Sequence, residues 1–455
     1  MRPRSRSATD GSAIGVCMSR PTVLAPPARA LRRAVGTAAA AVLVLAGLSP
    51  ASAVAASEKE RTAGDRQVTA YALRGNAYGT TVRSRTVPAE SGRTAYSWVS
   101  CTAVAGVERA NSLVRADLTD GAFAAGIDTS TRTSRVDGVV SVLSRSDVDR
   151  LAVGNDVGSL DIRGLRVRSR AWHDADGFHR SGSATVAALS AQVGGQPVPV
   201  PVPGEIEAGD SLSVPGVAEV TFFDLRGQRS NDGARSISLG LRVDLADGST
   251  LTAGRTNAQI DGDVVAGLMR GPATALEADT LDEVLTSGKI ARQPLDCRGT
   301  DGRHVTNATT AARVPGVLAL GAATATAWGD HTAARRADAH TQAYVSRLSL
   351  GDGGLVVREV QAQANTVREG DRYQRTAQGS SVGSLVLDGE VVELPRPGAS
   401  LRIAGVGTVT SQLVTSGRYG IKVVGLRIEL LDASPLGATI DVATASSSVR
   451  PRSLG

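Results

Sequence analysis

Apolar and polar residues alternate along much of the chain. In Leu241–Leu245 (LRVDL) the apolar side chains occupy every second position, with an arginine and an aspartate between them. Leu426–Leu430 (LRIEL) repeats this order, with a glutamate in place of the aspartate. A period of two places one set of side chains on the core face of a strand and the other set in water. The pattern therefore predicts half-buried β-strands.

The alternation changes phase at one point in each half of the chain. Leu160 and Ile162 alternate in one phase, whereas Leu165 and Val167 alternate in the other. The second half has the same break within residues 357–360. An extra residue on one strand of a pair would produce this shift, so we predict a β-bulge in both places.

The two halves of the chain also match each other in order. CTAVAGVERAN (Cys101–Asn111) and CRGTDGRHVTN (Cys297–Asn307) are followed by further matching segments, at an offset that falls from 196 to 185 residues. We interpret the match as an internal duplication, which predicts two tandem β-sandwich-like modules. Chain order leaves open whether strands are exchanged between the two copies.

The predicted fold class is all-β, with two duplicated β-sandwich-like modules and one short connector helix. The predicted boundaries are 57–67 for a flexible N-terminus, 68–268 for module 1, 269–296 for a connector, 297–450 for module 2 and 451–455 for a tail. The helix is predicted at Thr274–Gly288, where TALEADTLDEVLTSG has an amphipathic helical period.

Residues 1–56 have the features of a secretory leader. Arg32 and Arg33 precede the apolar run Ala34–Leu48, and small residues follow it. This order is typical of a signal peptide. The run has 15 residues, whereas a helix needs about 20 to span a bilayer.

Two details of the leader stay open. Cleavage after Ala53 and cleavage after Ala55 fit equally well, and translation can start at Met1 or at Met18. The expected mature protein is extracellular, either secreted or loosely associated with the cell wall. We expect no transmembrane segment in it, because no later run reaches the required length.

The positive charge of the chain lies in the leader. Residues 1–56 contain seven arginines and one aspartate, which leaves 43 basic and 43 acidic side chains in the remainder. The mature chain is therefore neutral overall, and it has no general cationic field to attract phosphates. This balance argues against a nucleic-acid partner.

The cysteines fit an exported protein. Cys101 and Cys297 are the two cysteines that follow the leader, and they occupy equivalent positions in the two halves. In an oxidising compartment, two cysteines with no other partner favour a single disulfide. The alternative is a pair of buried free thiols.

Several motifs together resemble a known family. TAYSWVSCT, LDCRGTDG, RAWHDADGFH and the two PxPG loops are similar to the choice-of-anchor P family of secreted actinobacterial proteins. The resemblance covers nearly the whole mature chain and implies a surface protein, but no biochemical activity. Members carry varied C-terminal anchors, whereas the ending TASSSVRPRSLG contains no LPxTG-type signal and no apolar tail. We therefore expect no covalent attachment to the wall.

Two motifs invite a catalytic or metal interpretation. Gly379–Gly383 (GSSVG) matches the G-x-S-x-G elbow, but the residues after it predict a strand instead of the required helix. WHDADGFH places His173, Asp174, Asp176 and His179 close enough to hold a metal. We favour a hairpin tip there, because Asp-Gly between two alternating runs is a hairpin signal. The sequence therefore predicts no catalytic residue, metal or cofactor.

The proline run and the remaining histidines also have simpler interpretations. QPVPVPVPGE has four prolines at alternate positions from Pro197 to Pro203, which favours a rigid extended connector over a ligand for an aromatic groove. His304, His331 and His340 are isolated in sequence and are predicted to be surface or hairpin residues.

One strand carries a row of cations. Arg166, Arg168 and Arg170 alternate on one face, and Trp172 follows in the same register. The equivalent positions of the second half are Gln361, Gln363, Asn365 and Val367. Such a row beside an aromatic ring is suited to an anionic polymer or a glycan. The alternative is an ordinary solvated strand face, neutralised by the nearby carboxylates of Asp161, Asp174 and Asp176.

These observations predict a secreted, non-enzymatic binding or structural protein of the cell envelope or the extracellular space. Its partner would be an anionic wall polymer, a glycan or another surface protein. The alternative function is a secreted hydrolase of wall or environmental polymers, whose catalytic residues would converge only in three dimensions.

Overall fold

The computed structural model describes residues 59–83, 92–119, 121–280, 289–314, 318–351, 354–404, 406–430 and 438–454. The predicted leader and both candidate cleavage positions lie outside these ranges. Within them the chain is all-β, as predicted, and helical geometry is confined to two 3₁₀ turns, η1 (Pro203–Glu205) and η2 (Arg452–Leu454). In this described part, no helix has the length and apolarity to cross a bilayer.

The first unit is one antiparallel sheet of twelve strands among the described residues. They are β1 (Lys59–Arg83), β2 (Ser97–Thr119), β3 (Ala122–Val136), β4 (Val139–Gly154), β5 (Gly158–Asp174), β6 (Gly177–Thr185), β7 (Ala188–Val193), β8 (Gln196–Val198), β9 (Ser211–Val214), β10 (Ala218–Arg229), β11 (Gly233–Leu245) and β12 (Thr250–Asp261). The order across the sheet is β8-β7-β5-β4-β3-β2-β1-β12-β11-β10-β9, and β6 pairs with β5.

This long sheet folds back on itself, so that β4 and β5 pack against β11 and β12. The core between the two layers contains the fully buried side chains of Ile127, Leu165, Phe222, Leu241 and Leu251. Alternate residues of each strand point into this core, as the period of two requires. The opposite face of β3, β4 and β5 is left to the solvent.

The second unit consists of two sheets. Its strands are β13 (Leu268–Arg270), β14 (Pro272–Thr280), β15 (Ile290–Pro294), β16 (Val305–Thr309), β17 (Ala312–Val314), β18 (Leu318–Leu320), β19 (Ala323–Ala333), β20 (Arg336–Leu350), β21 (Leu355–Glu369), β22 (Arg372–Thr376), β23 (Ser381–Leu387), β24 (Glu390–Val392), β25 (Ser400–Ile403), β26 (Gly407–Ser416), β27 (Gly420–Leu430) and β28 (Ala438–Arg450). One sheet has the order β15-β14-β28-β27-β26-β25 and the other β16-β19-β20-β21-β23-β24. They pack face to face through β20, β21, β27 and β28, which gives a sandwich.

The predicted connector 269–296 is part of the second unit. β13 and β14 both pair with β28, and β15 pairs with β14. The helix predicted at Thr274–Gly288 is therefore wrong over Thr274–Thr280, which lie in β14, while residues 281–288 lie outside the described ranges. Leu276 is buried in the core of the sandwich, and pairing with β28 outweighs the local helical period.

Both ends of the described chain lie against the first sheet. β1 begins at Lys59, within the stretch predicted to be flexible, and Lys59 pairs with Ala110 of β2. At the other end, η2 packs against β1 and β2, although it follows the last strand of the second unit. The two units are thus joined at more points than the single chain crossing between them.

The predicted change of phase is present in β5, but its cause is not an extra residue. The buried positions of β5 switch phase at Gly164, which has a φ of 61°. The register of β5 against β4 is the same on both sides of this point. Gly164 and the facing Asp149 are the one pair of residues that is missing from the ladder there. In β21 the same happens at Glu359, with a φ of 55°, opposite Ser346. The predicted β-bulges are therefore wrong, because neither strand gains a residue over its neighbour.

We call this level of each sheet the crease. In the first unit it consists of Gly79, Val114, Gly126, Asp149, Gly164, Phe223, Gly240 and Gly254. In the second unit it consists of Ala275, Ala291, Ser346, Glu359, Gly383, Gln412, Gly425 and Ala443. Positive φ values alternate with ordinary values along most of these rows, for example at Gly126 and Gly164 but not at Asp149 between them. The exception is the adjacent pair Val114 and Gly79, neither of which has a positive φ. At this level of the sheet, the alternation of inward and outward side chains therefore reverses.

The two layers lie close together at the crease. A Cβ added to Gly254 would lie 2.6 Å from Val167 Cγ2, and one added to Gly240 would lie 2.7 Å from the same atom. In the second unit, a Cβ on Gly425 would lie 2.7 Å from Val360 Cγ1. These distances are shorter than any normal carbon–carbon contact, so the facing valines need glycine there.

The predicted disulfide is present and lies at the junction of the two units. Cys101 on β2 is bonded to Cys297, 196 residues later, with a Cα–Cα distance of 5.4 Å. Ala72, Val264 and Leu268 are buried around it. On the other side of the junction, Arg368 Nη1 donates to the carbonyl of Ala266 over 2.7 Å. The bond therefore joins the units within a small apolar cluster.

We expect the double variant C101A/C297A to be less stable than the wild type. A cross-link that closes so long a loop restricts the unfolded chain and is worth roughly 4–5 kcal/mol in the loop-entropy model. The free energy of unfolding in guanidinium chloride measures the loss, with reduced wild-type protein as the control. Titration of two reactive thiols in the denatured, non-reduced protein would contradict the bond.

Gly254→Ala tests the close approach at the crease. Gly254 has a φ of 65° and a Cβ there would meet Val167, whereas Gly194 has a φ of 58° with nothing within 4 Å of its Cβ position. Both substitutions share the backbone penalty of about 1–2 kcal/mol, but only G254A adds overpacking of about 1–3 kcal/mol. Equal losses in urea unfolding of G254A and G194A would show that the layers are not in tight contact.

Candidate functional site

The predicted row of arginines lies on the outer face of β5. Arg166, Arg168 and Arg170 are exposed, and the residues between them are buried. Trp172 follows on the same face and is half-buried. The alternation of LRVRSRAW sets this arrangement, because the apolar and small residues at the intervening positions occupy the core.

Two arginines from neighbouring strands extend the row into a patch. Arg145 on β4 is the ladder partner of Arg168. Arg132 on β3 pairs with Leu143, whose partner on the other side is Arg170. Residues opposite one another in antiparallel strands project from the same face. The patch therefore depends on the strand order β3-β4-β5, for which the alternation in the sequence contains no signal.

These side chains line a groove of about 510 Å³, which we call the arginine groove. Its polar lining consists of Arg132, Arg145, Arg168 and Arg170 together with Ser134, Ser141, Ser181 and Ser183. The serines on β6 are the ladder partners of the arginines on β5. Of the four residues of the predicted ligand surface, Arg168 and Arg170 line the groove, whereas Arg166 and Trp172 do not.

The arginines of the groove repel one another. Burial lowers the pKa of Arg145 from its ordinary value, and the positive charges of Arg168 and Arg132 lower it further. Asp147 and Glu108 act in the opposite direction on Arg145, but more weakly. The protein thus holds like charges close together at this point, and an anion in the groove would relieve the repulsion.

No carboxylate within the described residues forms an ion pair with the four arginines of the groove. The Nε atom of Arg145 is buried and has no hydrogen-bond partner. Asp147 faces Arg166 across the β4–β5 ladder, and burial raises the pKa of this carboxyl above its ordinary value. The guanidinium groups are therefore left with unused donors.

Asp161 does not neutralise the row, although it is close in sequence. Its carboxylate lies 2.5 Å from Arg150 Nη2 and 2.9 Å from Arg163 Nε. These arginines lie beyond the crease at Gly164, where the pleat is reset. Asp161 is therefore satisfied by its own pair of cations and stays apart from Arg168 and the groove.

The indole of Trp172 is engaged within the protein. It stacks on His179 with ring centroids 5.1 Å apart, and the guanidinium carbon of Arg170 lies 4.8 Å from its centroid. Its Nε1 donates to Asp174 Oδ2 over 3.0 Å. The ring is thus less available to stack on a sugar than the sequence suggests, and it acts as a support beside Arg170.

WHDADGFH forms the β5–β6 hairpin, in which Asp174 pairs with Gly177. Its two histidines take different partners. His179 Nε2 lies 2.9 Å from Asp174 Oδ1, whereas His173 Nδ1 lies 2.9 Å from the hydroxyl of Tyr71. In the described part of the chain no three His, Cys, Asp or Glu side chains are grouped as a metal site would require.

In the second unit, the face that the sequence match predicts to be equivalent is closed by its own hydrogen bonds. Gln361 Nε2 donates to the carbonyl of Gly379 over 2.6 Å, and Asn365 Nδ2 donates to that of Gln378 over 3.0 Å. In the same segment, Ser381 of the GSSVG motif begins β23 and is followed by strand. This setting differs from the strand–turn–helix of a nucleophile elbow.

The other histidines are less isolated than their sequence positions indicate. The imidazoles of His304 and His340 both stack on the indole of Trp328, with centroid distances of 4.3 Å and 5.1 Å. His331 has both ring nitrogens buried without a hydrogen-bond partner, and burial lowers its pKa. The stack lies on the second unit and has no link to the arginine groove.

Comparisons with known proteins assign no family to the chain. No family model matches it, and no curated protein does. It aligns with a solved TodX monoaromatic hydrocarbon channel at 9% identity and a TM-score of 0.12, over 84% of this chain and 90% of the other. For the CymD monoaromatic hydrocarbon channel the figures are 7% and 0.10, over 85% and 90%. Scores this low do not indicate a shared fold or function.

We expect Asp174→Ala to release the indole of Trp172, because it removes the acceptor that holds both Trp172 and His179. Acrylamide quenching in a W98F/W328F background, where Trp172 is the remaining tryptophan, measures the release as increased quenching. Asp176→Ala is the control, because this exposed side chain lies in the same turn without bonding to the ring. Similar quenching in both variants would refute the role of Asp174.

Proposed function

We propose that the protein is an exported, non-enzymatic binding component of the cell envelope or its surroundings, and that it holds an anionic polymer in the arginine groove. The observation that carries this proposal is the set of four arginines on three adjacent strands that form no ion pair with a carboxylate of the described residues. Export rests on the leader-like sequence of residues 1–56 and on the disulfide, which suits an oxidising compartment.

The chemistry of the groove favours an anion with several charges. Guanidinium groups are always charged and present forked donors that match phosphate and carboxylate oxygens. Neighbouring strands are separated by about 4.8 Å, and successive outward residues on one strand by about 6.8 Å. Arg168 and Arg170 on β5 therefore stand at a spacing that neighbouring charged groups of an extended polymer can match. The serine hydroxyls of β6 can donate further hydrogen bonds to the same oxygens.

An open, rigid setting favours binding over catalysis. The groove lies on the backbone of a continuous sheet, so binding orders the arginine side chains but requires no ordering of the backbone. It is lined by arginines and serines, and carboxylates or histidines that could serve as a general acid or base are not part of its lining. The hydrolase therefore stays the alternative function, and shortening of the bound polymer during incubation would favour it.

The location can be tested apart from the ligand. Expression in a host that exports proteins through the general secretory route, followed by fractionation, should yield the protein outside the cytoplasm. N-terminal sequencing of the exported form should find a start directly after Ala53 or Ala55. A full-length protein retained in the cytoplasm would contradict the export part of the proposal and leave the groove untouched.

We expect the mature protein to bind poly(glycerol phosphate) with an affinity that falls steeply as salt is raised from about 50 to about 200 mM, because binding releases counterions. The variant R132Q/R145Q/R168Q/R170Q should lose about tenfold or more in affinity at low salt. Surface-immobilised polymer in a biosensor gives both values, and polygalacturonate in place of the phosphate polymer shows whether carboxylates suffice.

The matched control is R229Q/R313Q/R396Q/R402Q. These four arginines are exposed, lie outside the groove, and give the same change in net charge. Equal losses in both quadruple variants would mean that only total charge matters, and would refute the groove as the site. Absence of binding, or binding insensitive to salt, would also refute it.

A further inference from the structure

The junction between the two units brings two carboxylates together. Asp261 ends β12 in the first unit, and Asp296 directly precedes Cys297 in the second. The amide of Gln259 donates to both, since its Nε2 lies 2.9 Å from Asp261 Oδ2 and 3.4 Å from Asp296 Oδ1. The amide of Gln259 therefore bridges the carboxylates of Asp261 and Asp296 across the junction.

The two carboxylates differ in their partners. Asp296 Oδ1 lies 3.6 Å from Arg74 Nη1, and its side chain is half exposed. Asp261 has no ion pair within the described residues. Its Oδ1 packs against Gly233, where an added Cβ would lie only 2.9 Å away. Asp261, which is half-buried, is thus the carboxylate that lacks a neutralising cation.

The cations that face Asp261 are already engaged. Arg74 on β1 is paired with Asp296, as described above. Arg298, from the second unit, lies 3.6 Å from Asp232 in the turn before β11. Arg235 on β11 donates from Nε to Asn257 Oδ1 over 3.2 Å. Each of these cations therefore acts on Asp261 only at a distance.

The ionisation of Asp261 reflects this setting. Burial, followed by the negative charge of Asp296, raises the pKa of Asp261 from 3.8 to about 7. The hydrogen bond from Gln259 and the positive charges of Arg298 and Arg74 lower it, but they do not outweigh burial. A protonated Asp261 beside an ionised Asp296 avoids the repulsion of two negative charges.

We propose that Asp261 and Asp296 make the junction a pH-sensitive contact, which is tightest when Asp261 carries a proton and is loosened when both carboxylates are ionised. Between about pH 4 and about pH 7 the native protein holds a proton that the unfolded chain has released. The stabilisation is complete at the acid end of this window and is lost as the pH rises to about 7. The adjacent disulfide keeps the units linked, so the loosening is local.

The test compares the wild type with Asp261→Asn at about pH 5 and about pH 8, measuring thermal unfolding and amide hydrogen exchange. We expect the wild-type midpoint to fall by about 4 °C or more between the two conditions relative to D261N. Exchange corrected for intrinsic rates should accelerate at about pH 8 in the wild-type peptides that cover residues 256–264 and 293–299. In D261N the same peptides should be protected equally at both pH values.

Asp263→Asn is the matched control, because this exposed aspartate lies in the turn directly after β12 and should leave the pH dependence unchanged. A pH dependence in D261N equal to those of the wild type and D263N would overturn the proposal. If D261N does not fold, Asp296→Asn decides, since loss of its charge should reduce the fall in the midpoint. An unchanged fall in D296N would then overturn the proposal.

Discussion

The crease is the constraint on which both units depend. Along a strand such as β5, the apolar residues before the crease and those after it have opposite parity. A continuous pleat would therefore turn one of these two sets away from the core. Residues with positive φ, such as Gly164 and Gly254, reverse the alternation of inward and outward side chains without changing the register. Because a strand that failed to reset would expose an entire apolar face, all neighbours must do so at the same level. The crease is therefore a cooperative feature of the sheet, and Phe223 and Glu359 accept a backbone conformation that is unfavourable for non-glycine residues.

Small side chains follow from the close layers that the crease imposes. Aromatic residues make up 3% of the chain, and glycine, alanine, serine and threonine occupy much of the interior. The buried hydroxyls need partners, and they find them across the layers. Ser169 Oγ lies 3.0 Å from Ser238 Oγ and 2.8 Å from Thr256 Oγ1, while Thr366 Oγ1 donates to Ser447 O over 3.0 Å in the second unit. Hydrogen bonds between β5 and the opposite layer thus supplement an apolar core of modest side chains.

The sequence predicts those features that depend on local alternation, and it misses those that depend on strand order. Strands, the phase change at Gly164 and the Cys101–Cys297 bond could be inferred from residue spacing and compartment. β14 could not be inferred in this way, because its sequence has a helical period and only its pairing with β28 makes it a strand. The row on β5 could be predicted from alternation alone, whereas Arg132 and Arg145 needed the strand order. Asp137-Gly138 is a hairpin signal that joins β3 to β4, and it could have shown part of that order. The internal duplication stays a prediction.

Charge is handled in opposite ways at the two sites. On the outer face of the first sheet, cations such as Arg145 lie together without an ion-paired carboxylate, although the chain beyond the predicted leader has no net charge. At the junction, the half-buried Asp261 has no ion pair within the described residues, although Arg74, Arg235 and Arg298 act on it at a distance. An anion from outside can relieve the cluster of cations, whereas a proton can relieve the half-buried carboxylate. The same imbalance of charge therefore favours a ligand site in one place and a response to pH in the other.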